Sequence, residues 1–336
     1  MMQHEQCNGL REKRAVEGLT LSVVVPAYNE EAVIEAFHQR LRDAVSSLAV
    51  RLEVIYIDDG STDRTPAIVA QLRDSDPAVG FLRFSRNFGK EIAVSAGLNH
   101  ARGDAVVVID ADLQDPPELI ASMVEAWRRG ADVVNMRRAS RAGETTLKRA
   151  TAYLFYRVIN QLAEVPIPGD VGDFRLLSRR AVDALNRMPE RNRFMKGLFA
   201  WIGFQQETLT YHRDARAAGI SKWPYWKLWK LAVEGITGYS TAPLKLALYL
   251  GFASAAVTFT LLAYFMIKTW LIGDPVPGFP ATIVTVLFLG GVQLASIGVL
   301  GEYVARVFIE SKGRPLYLID TYQPADISMQ AKKTKN

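Results

Sequence analysis

The sequence predicts an α/β domain with a mostly parallel sheet covered by helices on both faces, followed by two membrane-spanning helices. Three observations carry this. Over the first 140 residues, short apolar strands alternate with segments whose apolar residues recur at helical spacing. Polar residues collect where the strands end, which is where open α/β sheets bind ligands. Beyond this charged domain lie two runs without a single charge, Leu246–Ile267 and Pro275–Gly301.

The candidate strands are Leu21–Pro26, Leu52–Asp58, Val79–Phe84, Ala105–Ile109 and Asp132–Met136. Between the first two, Val33, Ile34, Phe37, Leu41, Val45 and Leu48 make one apolar helical face, and the later gaps hold shorter helices. Strand–helix alternation of this kind gives a parallel sheet buried on both sides. The strand ends carry Tyr28-Asn29-Glu30, Asp58-Asp59-Gly60-Ser61, Ser85-Arg86-Asn87 and Asp110-Ala111-Asp112, so four ends converge on one crevice. Neither a GxGxxG nor a GxxxxGK[ST] string is present, which removes the two commonest nucleotide-binding signatures.

Each uncharged run can supply the roughly 20 apolar residues that cross about 30 Å of hydrocarbon. Lys222, Lys227, Lys230 and Lys245 precede the first run, and Arg306, Lys312 and Arg314 follow the second, whereas the connection offers only Lys268. The positive-inside rule then puts both termini in the cytoplasm. The first twenty residues are polar and lack the apolar core of a cleavable signal peptide. The single Cys7 excludes an intrachain disulfide framework and fits a reducing compartment.

The formal net charge is +5, but its distribution does not point to nucleic acid. Basic residues gather at Arg137-Arg138, Arg141, Lys148-Arg149, Arg191 to Lys196 and Lys222 to Lys230, the last interleaved with Trp223, Tyr225, Trp226 and Trp229. That pattern suits anionic lipid headgroups and an interfacial helix, although its aromatic residues would equally suit a neighbouring subunit and so a homo-oligomer. The expected organisation is a disordered segment at 1–20, the α/β domain at 21–215, an interfacial region at 216–243, a two-helix hairpin at 244–309 and a cytoplasmic tail at 310–336.

The stretch from Asp104 to Glu118 is the most informative. Its strand ends in Asp110-Ala111-Asp112, two carboxylates one residue apart that can hold a divalent cation against a diphosphate or can serve as turn residues. Asp115 reads as a helix cap ahead of Pro116 and Pro117. His4, His38, His100 and His212 fall outside every motif.

VVVPAYNEE at Val23–Glu31, IDDGSTD at Ile57–Asp63 and DADLQDPPE at Asp110–Glu118 resemble the three signatures of inverting family 2 glycosyltransferases with the GT-A fold. GDFRLLSRR at Gly172–Arg180, ERNRFMKGLFAWIGF at Glu190–Phe204 and SKW at Ser221–Trp223, with two spans after them, resemble the polyisoprenyl-phosphate branch. That branch includes bacterial undecaprenyl-phosphate glucosyltransferases of the GtrB type and, more distantly, dolichyl-phosphate mannose synthases. The resemblance runs from Leu21 to about Arg314.

It implies a bacterial inner-membrane enzyme that moves one sugar, glucose by resemblance, from a UDP-sugar to a polyprenyl phosphate, with inversion. Pro26, Tyr28 and Glu30 match nucleotide-holding positions, and Asp59 matches the carboxylate that takes the base. Asp110 and Asp112 match the metal pair, with Gln114 as a third ligand. Hard oxygen donors without a Cys/His cluster imply Mg²⁺ or Mn²⁺. Arg137 matches an active-site arginine, and Arg141 and Arg175 join it on the acceptor phosphate. Arg216 and Lys222 match a basic pair that contacts the donor in the dolichyl branch. Asp112, Asp173 and Arg137 form the implied catalytic set. Asp173 is either an orienting group or part of a structural ion pair, since a phosphate nucleophile is already ionised at pH 7.

Two other classes compete. A processive polysaccharide synthase shares the first three motifs but normally carries QxxRW, which is not found here, and uses more spans. A non-enzymatic membrane scaffold would not be expected to keep every donor-site acid together with Arg137. The topology is testable: a reporter fused after Asn336 is expected in the cytoplasm and one inserted near Gly273 on the opposite side. The same side for both would rule out the hairpin.

Overall fold

The computed structural model describes residues 14–15, 18–139, 171–188, 190–191, 193, 195–211, 242–272 and 279–327. They fall into two compact units: the described residues up to Tyr211 together with those from Arg314 onward, and a pair of long helices.

The first unit is an eight-stranded mixed sheet. In chain order its elements are β1 (Thr20–Ala27), α1 (Ile34–Ser46), β2 (Arg51–Asp58), α2 (Thr65–Ser75), β3 (Val79–Phe84), α3 (Lys90–His100), β4 (Ala105–Val108), a 3₁₀ turn (Pro117–Leu119), α4 (Ile120–Arg128), β5 (Val133–Arg138), β6 (Val171–Ser178), α5 (Arg179–Asn186), α6 (Met195–Trp201), β7 (Gln206–Tyr211) and, after the long helices, β8 (Ile319–Gln323). The spatial order is β7-β5-β6-β4-β1-β2-β3-β8. The central block β4-β1-β2-β3 is parallel, as strand–helix alternation requires.

Alternation along β1 divides the core into two layers. Leu21, Val23 and Val25 join Phe37 and Leu41 of α1 and Met123 and Trp127 of α4 in one cluster. Val24 faces the other way, onto α3, where Gly97 allows close approach: a Cβ there would overlap Val24 Cγ1 and lie 2.8 Å from Ile57 Cδ1. The helical face expected between the first two strands is α1, with Ile34, Phe37, Leu41 and Val45 buried.

Three findings differ from the sequence expectation. The sheet gains β6, which runs antiparallel between β4 and β5, and β7, parallel to β5 at the far edge. Residues 310–336, expected as a tail, contain β8, which pairs antiparallel with β3. Tyr317 stacks on Phe84 with ring centroids 5.0 Å apart, and the Arg102 guanidinium donates to Ala325 O at 2.6 Å. Within 1–20, expected as disordered, Arg14 donates to Ala131 O at 2.8 Å and to the buried Asp132 at 2.8 Å, and Thr20 already begins β1.

The second unit is α7 (Ala242–Ile272) and α8 (Phe279–Ser311), which pack against each other. Their windows Pro243–Leu261 and Phe288–Ser311 are long and apolar enough to cross a membrane by length and composition. Large apolar side chains such as Phe252, Phe259, Trp270 and Leu294 are exposed along them, the opposite of a water-soluble helix pair. The interfacial helix expected at 216–243 lies almost wholly outside the described residues.

Gly97→Ala tests the close approach of α3 to the sheet. Overpacking here is expected to cost about 1–3 kcal/mol and to lower the Tm of the purified protein by about 3–10 °C. An unchanged melting curve would show that α3 can back away at no cost.

Candidate active site

The acidic strand ends meet at the carboxyl edge of the sheet, and each pins a neighbouring loop. Asp58 is buried at the end of β2, accepts from its own turn at Ser61 N (3.0 Å) and pairs with Arg83 at 3.2 Å. Gly60 closes that turn at φ 71; a Cβ would lie 2.5 Å from the Arg86 carbonyl carbon, so only glycine fits. The loop after β1 is braced against the same turn, with Asn29 N donating to Ser61 Oγ at 3.0 Å and Thr62 N to Asn29 Oδ1 at 2.9 Å. This leaves Tyr28 at the rim, 46% exposed, with Pro26 and Glu30 beside it half-buried.

Asp59 is expected to take the donor base. It stands at the strand end, nearly buried, and its oxygens accept from Phe88 N at 2.6 Å and Gly89 N at 2.9 Å. Burial raises its pKa, against the lowering effect of those two N–H groups. The carboxylate therefore holds the chain that enters α3, a role the sequence expectation lacks.

Lys90, the first residue of α3, follows directly. Its ammonium lies 2.7 Å from Asp110 Oδ2 and 2.6 Å from Asp173 Oδ2. The register explains why these acids meet. Val108 of β4 faces Arg175 of β6 as the last pair of that ladder, and Asp110 and Asp173 lie just beyond it at the same edge, joined through the Lys90 ammonium. Burial pushes the Asp110 carboxyl up, with Lys90 opposing and Asp173 reinforcing the shift. Burial also acts upward on Asp173, but Lys90 and Lys196 outweigh it and hold that carboxyl well below the usual range. Asp173 thus makes the ion pair considered from sequence, with Lys90 as partner.

Asp112 is half-buried in the turn beyond Asp110 and accepts from Gln114 N at 3.1 Å, with Leu113 between them at φ 60. Asp115 does not cap a helix. Pro116 takes the cap position without a side-chain cap bond, and the buried Asp115 accepts from the Tyr211 hydroxyl.

Arg137 is exposed at the end of β5, on the same edge as Asp110 and Asp173. Arg175 corrects an expectation. Only 2% exposed, it donates to Gly172 O at 2.8 Å and lies over the Phe199 ring at 3.8 Å, so its guanidinium is closed to an incoming phosphate. Burial pulls its pKa down to about 10, against the opposing charges of Asp173 and Glu91. Glu91 has no counterpart in the sequence reading. It accepts from Met195 N at 3.1 Å at the start of α6, and burial, reinforced by Asp173, pushes its carboxyl up to about 7. Arg141, Arg216 and Lys222 lie outside the described residues. Lys90 and Glu91 were missed because their chemistry depends on Asp173, which is 83 positions from Lys90; the only local hint was a lysine following a glycine at a helix start.

Asp110 and Asp112 offer hard oxygen donors and fit a divalent cation in kind. Among the described residues, no group of three or more His, Cys, Asp or Glu is arranged to hold a metal. Two carboxylates suit an ion such as Mg²⁺ that keeps waters and takes substrate phosphate oxygens as further ligands.

Comparison with known proteins agrees with this layout. The family model of glycosyl transferase family 2 matches residues 22–185, and that of the GtrB C-terminal hairpin matches 242–307. A bactoprenol glucosyl transferase of Shigella phage SfV is 48% identical over 301 residues, covering 90% of this chain and 98% of the relative. A prophage bactoprenol glucosyl transferase homolog of Escherichia coli K12 is 46% identical, with 90% and 98% covered. An uncharacterized glycosyltransferase of Synechocystis is 47% identical, with 90% and 95% covered. Similarity of this extent, spanning both the sheet that carries the acids and the paired apolar helices, establishes that the chain is a glycosyltransferase belonging to glycosyl transferase family 2, in the branch with the GtrB-type hairpin.

Proposed function

We propose that the enzyme transfers one glucose from UDP-glucose to a polyprenyl phosphate of the bactoprenol kind at the cytoplasmic face of a bacterial inner membrane. The names of relatives at 46–48% identity support the sugar and the lipid. The observation on the molecule that carries the reading is the antiparallel placement of β6, which brings Asp173 to the same Lys90 ammonium as Asp110 at an edge where Arg137 is also exposed.

A lipid-phosphate oxygen attacks the anomeric carbon as the bond from that carbon to the diphosphate breaks, so an α-linked donor gives a β-linked product. The nucleophile is ionised and needs no base, which leaves Asp173 an orienting role and most of the catalysis to positioning and electrostatics. Pro26, Tyr28 and Glu30 border the nucleotide, with Asp59 supporting its base through the remaining lone pairs of its oxygens. Asp110 and Asp112, with Gln114, would hold Mg²⁺ or Mn²⁺, which would offset charge on the departing UDP. Arg137 and Arg141 take the acceptor phosphate, and Arg216 and Lys222 the donor. The helices α7 and α8 span the bilayer, with both termini cytoplasmic, and the 216–243 region lies along lipid headgroups or against a second subunit.

Purified full-length enzyme in detergent is expected to release UDP from UDP-glucose only when undecaprenyl phosphate and a divalent cation are both present. A panel of UDP-sugars identifies the preferred donor. Asp110→Asn or Asp112→Asn should lower turnover by roughly a hundredfold or more while the protein stays folded and membrane-inserted. Near-normal activity of both variants in EDTA would remove the metal assignment.

Arg141→Ala separates acceptor from donor. Loss of one charge-assisted contact of about 1.5–3 kcal/mol should raise the apparent KM for polyprenyl phosphate or lower kcat by roughly ten- to a hundredfold. UDP affinity with Mn²⁺, read by titration calorimetry, should stay unchanged. Weakened UDP binding with unaltered acceptor dependence would move Arg141 to the donor side.

A further inference from the structure

Lys90 belongs to none of the sequence motifs assigned above, yet its ammonium makes two charge-assisted contacts at the centre of the site, 2.7 Å to Asp110 Oδ2 and 2.6 Å to Asp173 Oδ2. Its backbone is fixed independently of those contacts, because Asp59 binds the N–H groups of Phe88 and Gly89 immediately before it and Gly89 turns the chain at φ 100. The side chain is 44% exposed, so part of its length reaches solvent, and its ammonium sits among carboxylates rather than in an apolar interior. Around the pair, Asp112 and Asp173 both act on Asp110 with negative charge, and Lys90 opposes them with positive charge. The same Asp110 carboxylate is the one the donor cation needs.

We propose that Lys90 is a resident counter-ion of the donor site. Without donor, its single positive charge is shared between Asp110 and Asp173. When the divalent cation arrives with the nucleotide, Lys90 gives up Asp110 and stays on Asp173, which it keeps oriented beside the donor. The inference rests on the proposed reading of Asp110 as a metal ligand. It carries a consequence that a purely structural lysine would not: the ammonium competes with the metal, so the donor-free enzyme binds the ion weakly and removing Lys90 should tighten metal binding even as it harms the site.

The test is direct Mn²⁺ binding, read from the electron paramagnetic resonance signal of free Mn²⁺, on the full-length protein in detergent without nucleotide. Lys90→Met is expected to bind Mn²⁺ roughly tenfold or more tightly than the unmodified chain, the effect of freeing one charge-assisted contact. Lys90→Arg, which keeps the charge, should remain close to the unmodified chain, and Lys90→Gln provides a second neutral variant if the methionine variant does not fold. Unchanged or weaker Mn²⁺ binding in a folded neutral variant overturns the proposal. Asp110→Asn should abolish the binding. If it does not, the assignment of Asp110 as a metal ligand fails and this role for Lys90 fails with it, a result distinct from unchanged affinity in the lysine variants alone.

Discussion

The accumulation of carboxylates at one edge of the sheet is the constraint on which the site depends. Parallel strands deliver their carboxyl ends to the same side, so Asp58, Asp59 and Asp110 all emerge there, and β6 adds Asp173. Partly buried like charges repel and are costly to desolvate, and the fold meets this with specific partners for these acids. Asp58 pairs with Arg83, Asp59 takes two main-chain N–H groups, and Asp110 and Asp173 share Lys90. The partners form a chain: Asp59 fixes the entry to α3, and that entry puts Lys90 between the other two acids.

The second layer of organisation is the mixing of strand directions. A purely parallel sheet could bring donor-side acids together, but it would place every following residue on the next helix. An antiparallel β6 begins at that edge and runs away from it, so its first residues lie by the end of β4, with Asp173 at the rim and Arg175 sealed beneath it over Phe199. The buried guanidinium then acts on Asp173 as a fixed charge from within the protein. Glu91 completes this inner cluster by holding the first turn of α6, so the same few charges that shape the edge also anchor the helix that covers Arg175.

The chain also re-enters the sheet after the long helices. β8 pairs with β3, Tyr317 stacks on Phe84, Tyr322 lies against His100, and Asp326 N bonds to Pro77 O at 2.8 Å. In sequence, the apolar helices are thus enclosed by two parts of one folded unit rather than appended to its end. An edge strand supplied from so far along the chain also protects β3 from pairing with other molecules.

What the sequence determined by itself was whatever is encoded locally. Alternation of apolar strands with helical periodicity defined the parallel block, and the absence of charge over two long runs defined α7 and α8, because both patterns arise from residues close along the chain. The strand-end acids were legible for the same reason. Only the tertiary structure decided which of them touch. β6 enters the sheet antiparallel between β4 and β5, a placement no local pattern gives, β8 is short and half polar, and Asp115 turned from a presumed cap into the acceptor for Tyr211, 96 positions away. Arg175 passed from a surface phosphate ligand to a buried charge, and Lys90 from an unremarked lysine to the cation at the centre. In each case the deciding quantity was burial or a contact across the sheet, and these follow from strand order and register, which no local pattern contains.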